Sequence, residues 1–268
     1  MAKPTWFIRE LFDHRYLLLQ LTLRDFKSRY AGSILGLFWA FLQPLAMMAI
    51  LWFVFSYGLK ANAVETGVKF IPWFFSASVA WNFLQDGIFV TSNAINDYAF
   101  LVKKIDFRVR LLPVVKILSA LILHGIFLAL LMVILVISGL RPDVQWLSVF
   151  YYMFCSCVFL LGCGWLLAPL NVFTRDIAQL VGVLMQFGFW LTPIIWNWRM
   201  LPEKYRPLIK LNPLFYITEG YRDAFVYHRS IAAHGLNSML YFWCFTLGLL
   251  ALGHTVFKRL RPHFGDVL

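Results

Sequence analysis

Long windows without a charged residue alternate with short charged clusters along the chain, and this pattern predicts membrane-spanning helices. A helix needs about 20 apolar residues to cross the hydrocarbon core of a bilayer. Five windows exceed that length, and a sixth extends to about Ser92 if Asp86 faces protein or lies near the membrane interface. The windows are residues 30–59, 70–85, 117–140, 144–174, 177–198 and 230–257. We therefore predict an all-α integral membrane protein with six transmembrane helices.

The residues before the first window have a different pattern, that of one amphipathic helix. Apolar residues recur at steps of four and three, which places them on a single helical face. This stripe consists of Phe12, Tyr16, Leu19, Leu23, Phe26 and Tyr30. Because basic residues flank the stripe, it predicts a helix that lies in the membrane interface and does not cross the membrane. The alternative is a soluble helix that packs on its own protein. We expect no cleavable signal peptide, whose apolar core would begin earlier.

The connection between the second and third windows, residues 91–110, is basic and partly apolar. We expect Asn93 to cap a short helix that exposes Tyr98, Phe100 and Leu101. A short amphipathic helix of this kind can dock in the groove of a partner protein. The alternative is a basic loop that serves only to set the topology.

The connection between the last two windows, residues 191–228, mixes apolar stretches with prolines and charges, in pieces too short to span a membrane. This mixture predicts re-entrant or interfacial helices. Non-spanning backbone at membrane depth is tolerated only where it is buried in protein or lines a cavity. An ordinary amphipathic surface hairpin is the alternative.

Composition and charge agree with a membrane protein. Of the 268 residues, 61% are hydrophobic and 14% are charged, whereas about a quarter of the residues in a soluble domain are charged. The net charge of +11 comes from Lys and Arg residues that flank the apolar windows. Such residues usually set topology, so we expect no nucleic-acid partner. Six basic residues precede the first window, which favours an orientation with both termini in the cytoplasm.

Motifs for catalysis, nucleotide binding and metal binding are missing from the sequence. It contains no Gly-x-x-x-x-Gly-Lys, no Gly-x-Ser-x-Gly and no paired-histidine motif, so we expect no catalytic residue, metal or cofactor in this chain. A proton-coupled carrier would need more intramembrane acids than Asp86. A membrane enzyme, such as a lipid-sugar transferase, is a further alternative. Its candidate acids, Glu203, Glu219 and Asp223, lie among prolines and basic residues, which fits a gate better.

Aromatic residues are abundant, with 11 Trp, 11 Tyr and 27 Phe. Four that run through the first window are Trp39, Phe41, Trp52 and Phe53. Aromatic rings stack on the faces of sugars, so such a wall is suited to the path of a glycan. For each ring taken singly, bulk that faces lipid is the alternative.

Several segments in a fixed order resemble one family of transporters. They are Leu23–Tyr30, Ser33–Trp39 with Gln43-Pro44, Asn171–Asp176, Thr192–Ile194, Leu211–Pro213, Glu219–Asp223 and the tail Arg261–Leu268. The chain resembles the permease subunits of type-2 ATP-binding-cassette transporters that export lipid-linked polysaccharide, and the O-antigen and teichoic-acid branch more than the capsule branch. Gly265 is a minor departure, since a small residue such as alanine is usual there.

The resemblance implies an architecture and partners. Two copies of the permease would pair with two separate ATPase subunits, which would bind ATP and magnesium. The complex would move an undecaprenyl-diphosphate-linked glycan, best matched to O-antigen, from the cytoplasm across the inner membrane through a channel at the dimer interface. Residues 1–268 would form one permease domain, with an interface helix (1–31), a six-span core (32–258) and a cytoplasmic tail (259–268). A type-2 permease for teichoic acid, capsule glycan, drugs or lipids is the alternative.

The resemblance also implies roles for individual residues. The cytoplasmic diphosphate would be attracted by Arg24, Lys27 and Arg29. The glycan channel would be lined by Trp39, Phe41, Trp52 and Phe53. The ATPase would dock on a coupling segment with Asn93, Asn96, Asp97, Tyr98, Lys103 and Lys104. A gate on the outer side would contain Pro193, Asn212, Pro213, Tyr216, Glu219 and Arg222.

Overall fold

All regular structure in the described chain is helical. The computed structural model describes residues 5–30, 36, 38–58, 69–104 and 108–268, without the side chains of residues 5, 6, 8, 30, 102–104, 234 and 266. The helices are α1 (Thr5–Asp13), α2 (Arg15–Tyr30), α3 (Phe38–Phe53), α4 (Phe70–Ser92), α5 (Ala94–Asp97), α6 (Ala99–Lys104), α7 (Leu112–Ile137), α8 (Ser148–Phe173), α9 (Asp176–Leu191), α10 (Arg206–Lys210), α11 (Pro213–Phe225), α12 (Leu236–Leu260) and α13 (Phe264–Val267). The predicted all-α class is confirmed for these residues.

Four described helical stretches are long and apolar enough to cross a membrane, so the protein is a multi-pass membrane protein. They contain α3, α7, α8 and α12 and cover Phe38–Gly58, Val109–Ile137, Val144–Phe173 and Leu236–His263. The apolar helix α9 has 16 residues, or about 24 Å, which is shorter than the roughly 30 Å hydrocarbon core. The count of six spans therefore stays a prediction for α4 and α9.

The long helix α4 is largely enclosed by the rest of the described chain. It packs against α7, α8, α9 and α11, and most of its residues are buried. Its polar residues include Ser76 and Ser78, whose hydroxyls donate to the carbonyls of Pro72 and Phe74 within the same helix. A helix surrounded by protein can carry polar side chains that lipid would penalise. The helix α4 extends to Ser92, as the longer form of the second window predicts, whereas its crossing of the membrane stays a prediction.

The helices α8 and α12 pack side by side through small residues. A Cβ atom built on Gly253 of α12 would lie 2.7 Å from the carbonyl oxygen of Gly162 and 3.0 Å from the backbone nitrogen of Leu166 on α8. The two backbones are therefore close enough that a methyl group does not fit between them. Without a hydrophobic effect between helices in lipid, close packing of this kind is a main source of their association.

Replacing Gly253 by alanine is expected to destabilise the α8–α12 pair by about 1–3 kcal/mol, because the added methyl group overpacks the contact and forces the helices apart. The matched control is Gly248→Ala on the same helix, where a Cβ meets no described atom within 4 Å. Thermal unfolding in detergent, followed by tryptophan fluorescence, should give a lower Tm for G253A and an unchanged or higher Tm for G248A. Equal Tm values for G253A and the wild type would contradict the close approach.

The amphipathic segment before the first span consists of two helices, α1 and α2, separated at His14. This corrects the prediction of one continuous helix. Residues of the predicted apolar stripe point away from the protein, namely Phe12, Tyr16, Leu19 and Leu23. The helix α2 packs on the rest of the chain through its other face, where Leu18 and Leu21 are buried. The exposed stripe is the arrangement that a helix in the membrane interface requires.

One buried acid holds α1 in place. The carboxylate of Glu10 is 2% exposed and lies 2.8 Å from a guanidinium nitrogen of Arg108 and 2.7 Å from one of Arg110. Both arginines come just before α7, in the connection that was predicted to be either a docking helix or a loop that only sets the topology. They therefore also hold α1 against the start of α7.

The connection between α9 and α12 is built from short helices, as its mixed sequence predicts. Two 3-10 turns, Trp198–Met200 and Glu203–Tyr205, precede α10 and α11. Residues 215–225 of α11 are all buried, where they pack against α4, α8 and α12. A 13-residue helix is about 20 Å long and cannot span a membrane. Its burial meets the condition for non-spanning backbone at membrane depth, whereas its re-entrance stays a prediction.

Candidate functional site

A cleft of about 460 Å³ opens between α3, α4 and α7. Its walls carry apolar rings and, unusually for the surface of spanning helices, a group of polar side chains. The polar residues are Gln43, Asn82, Gln85, Asp86 and His124. Polar groups within membrane spans face the protein interior or a water-filled cavity. The cleft is therefore suited to a ligand that presents both polar and apolar groups.

The aromatic residues predicted to line a channel all lie on α3, but their side chains have different neighbours. Trp39 lines the cleft. Phe41 packs on Phe127 of α7, with ring centroids 5.5 Å apart. Trp52 and Phe53 lie farther along the helix, and both contact Tyr57. The structure thus places Trp39 among the polar groups of the cleft, while the channel role of all four residues stays a prediction.

The three basic residues predicted to attract a diphosphate also differ in their surroundings. Arg24 and Lys27 are exposed, and the guanidinium of Arg24 lies 6.0 Å from the ring centroid of Phe100. The side chain of Arg29 is mostly buried. Its guanidinium donates to Asp25 at 3.0 Å and to Asp86 at 3.2 Å. Of the three, Arg24 and Lys27 present their charge at the surface.

Arg29 belongs to a chain of five charged residues, which we call the ion-pair chain: Asp86, Arg29, Asp25, Lys116 and Asp97. The ammonium group of Lys116 lies 2.6 Å from a carboxylate oxygen of Asp25 and 2.6 Å from one of Asp97. Asp25 therefore lies between two cations, Arg29 and Lys116. The five residues come from four helices, α2, α4, α5 and α7, so the ion-pair chain ties these helices together.

The ionisation of Asp25 follows from these neighbours. Burial by itself raises the pKa of this carboxyl group, but the hydrogen bond from Lys116 and the charges of Lys116 and Arg29 outweigh burial, so the pKa lies below its ordinary value. The hydroxyl of Tyr98 donates at 3.1 Å to Oδ1 of Asp25, the oxygen that also accepts from Lys116. Burial and the charge of Asp25 raise the pKa of Tyr98 above that of an ordinary tyrosine. Asp25 thus remains a carboxylate and Tyr98 remains a donor.

The predicted coupling segment is helical, but two expectations about it are wrong. Asn93 does not cap α5 with its side chain, because its side-chain oxygen accepts from the amide of Asn171 and its amide nitrogen donates to the carbonyl of Phe89. Tyr98 is buried and not exposed, because its hydroxyl reaches Asp25. Phe100 is exposed as expected, and Leu101 is half-buried. The side chains of Lys103 and Lys104 lie outside the described residues.

A residue in the last turn of α8, Asn171, holds the coupling segment from the other side. The amide nitrogen of Asn171 donates to the carbonyl of Ser92 and to the side-chain oxygen of Asn93. The carbonyl of Asn171 accepts from the amide of Asn96 at 3.2 Å. Asn171 belongs to one of the segments that carry the family resemblance, but no role was predicted for it. The sequence signal for such a role is that Asn171 is a polar residue near the end of the otherwise apolar window 144–174.

The residues predicted to form an outer gate surround one buried arginine. Arg222 is 0% exposed and donates to the backbone carbonyls of Trp73, Pro193 and Ile194. It also donates to the carboxylate of Glu219 at 2.9 Å. Its guanidinium lies 3.5 Å from the ring centroid of Trp73. Arg222 thereby joins α11 to the turn after α9 and to the first turn of α4.

The other predicted gate residues hold α11 at its start and middle. Asn212 caps α11 by accepting from the backbone nitrogen of Leu214, and its amide donates to the hydroxyl of Thr192. Pro213 occupies the first turn of the helix, where a missing N–H has no cost. Tyr216 is buried with its hydroxyl 3.1 Å from that of Tyr151. The structure brings these residues together, and their gating role stays a prediction.

Comparisons with known proteins match nearly the whole chain. A sequence profile of the ABC-2 type transporter family matches residues 16–226. Two proteins of Klebsiella pneumoniae, each named O-antigen export system permease protein RfbA, are 29% identical to the chain over 267 residues, which cover 96% of this chain and 96% of theirs. A protein of the same name from Myxococcus xanthus is 27% identical over 264 residues, or 97% of this chain and 98% of its own. The similarity therefore runs from end to end.

Proposed function

Because the chain belongs to the ABC-2 type transporter family, we propose that it is the permease subunit of an exporter of O-antigen. Membership of the family makes it a membrane transport subunit that works with an ATPase subunit and is not itself an enzyme. The observation that carries the proposal is the end-to-end similarity to relatives named as O-antigen export permeases. The cargo is an undecaprenyl-diphosphate-linked polysaccharide taken from the cytoplasmic side of the inner membrane.

The assembly contains two copies of this chain and two ATPase subunits, which bind ATP and magnesium. Exposed apolar side chains along α3 and α9 support a second copy, since both helices show little burial within one chain. Six basic residues before the first span support an orientation with both termini in the cytoplasm. In this orientation, α5 and α6 face the ATPase and the short helices at 198–225 face the periplasm.

The described side chains fit a substrate with a charged head and a sugar chain. Arg24 and Lys27 lie at the surface on the cytoplasmic side, where they attract the diphosphate group. The cleft offers Trp39 as a stacking surface, with amides and a carboxylate that can hydrogen-bond to sugar hydroxyls. The route from the exposed basic residues to the cleft runs past α2, which carries both Arg24 and Arg29.

Deleting the gene from a strain that makes O-antigen tests the proposal. Surface O-antigen should disappear while the lipid-linked glycan accumulates on the cytoplasmic side, because synthesis continues without export. Surface lipopolysaccharide is measured by gel electrophoresis, and the lipid-linked pool is measured after solvent extraction. Expression of the wild-type chain from a plasmid should restore both quantities. Undiminished surface O-antigen in the deletion strain, or its loss without a lipid-linked pool, would contradict the proposal.

A further inference from the structure

The ion-pair chain begins in the cleft and ends on the coupling segment. The side chain of Asp86 lines the cleft and is 38% exposed, and that of Asp97 on α5 is 48% exposed. The three residues between them are largely shielded, with side-chain exposures of 15% for Arg29, 3% for Asp25 and 5% for Lys116. The ion-pair chain thus has two accessible ends and a buried middle.

We propose that the ion-pair chain couples the cleft to the ATPase, with Asp86 and Asp97 as positioning residues at its two ends. The inference rests on the proposed function, because the ATPase is taken to dock at α5 and α6. It assigns a role in export to Asp86, Asp25 and Lys116, which the family resemblance left without one. It also changes the role of Arg29, from a residue that receives the diphosphate directly to one that reports its arrival.

The buried middle of the ion-pair chain can transmit a displacement because its members share partners. Asp25 holds Arg29 through one carboxylate oxygen and Lys116 through the other. Lys116 in turn holds both Asp25 and Asp97. In the low dielectric of a protein interior these attractions are strong, and an unpaired charge is costly. If Arg29 shifts toward or away from Asp86, Asp25 and Lys116 must follow to remain paired.

Neither end by itself is needed to neutralise the middle, because the four charges that remain without Asp86 or without Asp97 sum to zero. Without the charge of Asp86, Arg29 still has Asp25 as its partner. Without the charge of Asp97, Lys116 still has Asp25. In each of these two ion pairs the acid is partly exposed, and screening by solvent weakens its contribution to stability, so a purely stabilising role accounts poorly for Asp86 and Asp97. Their accessible positions instead suit contact with a substrate on one side and a partner on the other.

The charge of the proposed cargo gives the signal a direction. A diphosphate that approaches α2 attracts Arg29 and repels Asp86, so it weakens the contact between these two residues. Sugar hydroxyls in the cleft can replace Arg29 as hydrogen-bond donors to Asp86. Both effects loosen the contact between Arg29 and Asp86, so Asp25 and Lys116 readjust and Lys116 changes its hold on Asp97. The coupling segment then reports whether the cleft is occupied.

The test uses the complete permease–ATPase complex in proteoliposomes with extracted lipid-linked O-antigen. Asp86→Asn and Asp97→Asn are compared with Asp143→Asn, a half-exposed acid on the opposite side that pairs with His228. The quantity measured is the glycan exported per ATP hydrolysed. We expect this ratio to fall at least about fivefold in D86N and D97N, the lower end of typical couplings between sites. It should stay unchanged in D143N and be largely restored in Asp97→Glu.

Thermal unfolding of each complex separates coupling from simple loss of structure. D86N and D97N should unfold at the wild-type temperature, because the buried charges keep their partners. An unchanged export ratio in both variants would overturn the inference, as would a ratio that falls only together with the unfolding temperature. If the wild-type complex neither exports the glycan nor responds to it, the proposed function itself fails. If the wild-type complex exports the glycan and the ratio of glycan to ATP is the same in D86N and D97N, the proposed function stands but the ion-pair chain has no part in it.

Discussion

Replacing Arg222 by methionine is expected to destabilise the protein by about 3 to 5 kcal/mol, the usual cost of breaking a buried ion pair by removing one partner. The guanidinium is fully enclosed and serves three backbone carbonyls and one carboxylate at once. Methionine fills a similar volume but donates to none of them. The carbonyls of Pro193 and Ile194 and the carboxylate of Glu219 then stay buried with their hydrogen bonds lost.

The same change should loosen the packing around α11, because Arg222 connects α11 with the turn after α9 and with α4. Thermal unfolding and the yield of monodisperse protein in detergent measure the effect. Arg222→Lys should recover only part of the loss, since one ammonium group cannot reproduce the planar set of donors. The matched control is Arg229→Met, whose side chain is 42% exposed and lies 3.8 Å from Asp223. Comparable losses in R222M and R229M would contradict the central place of Arg222.

Asp25→Asn is expected to have the second largest effect, a loss of about 2 to 3 kcal/mol, in the range of hydrogen bonds to charged groups. Asparagine keeps the shape of the side chain but removes the charge that neutralises Lys116 and Arg29. Lys116 then depends on Asp97, and Arg29 depends on Asp86, both of which are more exposed. The matched control is Asp13→Asn on α1, whose side chain is 61% exposed and 4.0 Å from Arg9.

The pH dependence of this loss follows from the lowered pKa of Asp25. A carboxyl group with a lower pKa in the folded state stabilises the protein above its ordinary value of 3.8, and this contribution disappears as the pH falls through the folded-state pKa. The difference in Tm between the wild type and D25N should therefore be constant from about pH 8 to about pH 5 and shrink only in stronger acid. A difference that already shrinks between neutral pH and about pH 5 would contradict the assigned ion pairs.

Much of the fold follows from local patterns in the sequence. The charge-free windows locate the four long apolar helices, and the extension of the second window past Asp86 predicts the end of α4 at Ser92. Asp86 is tolerated there because it faces the cleft, where Arg29 pairs with it. The prolines and charges of the segment before α12 predict its short helices. These features depend on residues within one or two turns of each other, so the sequence is enough to find them.

The candidate site was only partly predictable. Arg29 and Asp97 were both predicted as site residues but with separate roles, and the two residues that connect them, Asp25 and Lys116, were missed. Lys116 and Asp25 are 91 positions apart, and no local pattern announces their contact. The expected cap at Asn93 and the expected exposure of Tyr98 failed for the same reason. Asn171 and Asp25, which come from other helices, offer these side chains better partners than their own segment does.

By itself, the sequence determined that the chain enters a membrane, which stretches can cross it and where the amphipathic and broken segments lie. These properties depend on the transfer of apolar side chains out of water, which sums over neighbouring residues. Only the tertiary structure decided that α4 is enclosed, that Arg222 anchors α11 and that five charges join the cleft to the predicted coupling segment. A buried charge is stable only beside an opposite charge, and the packing of distant helices determines which charges become neighbours.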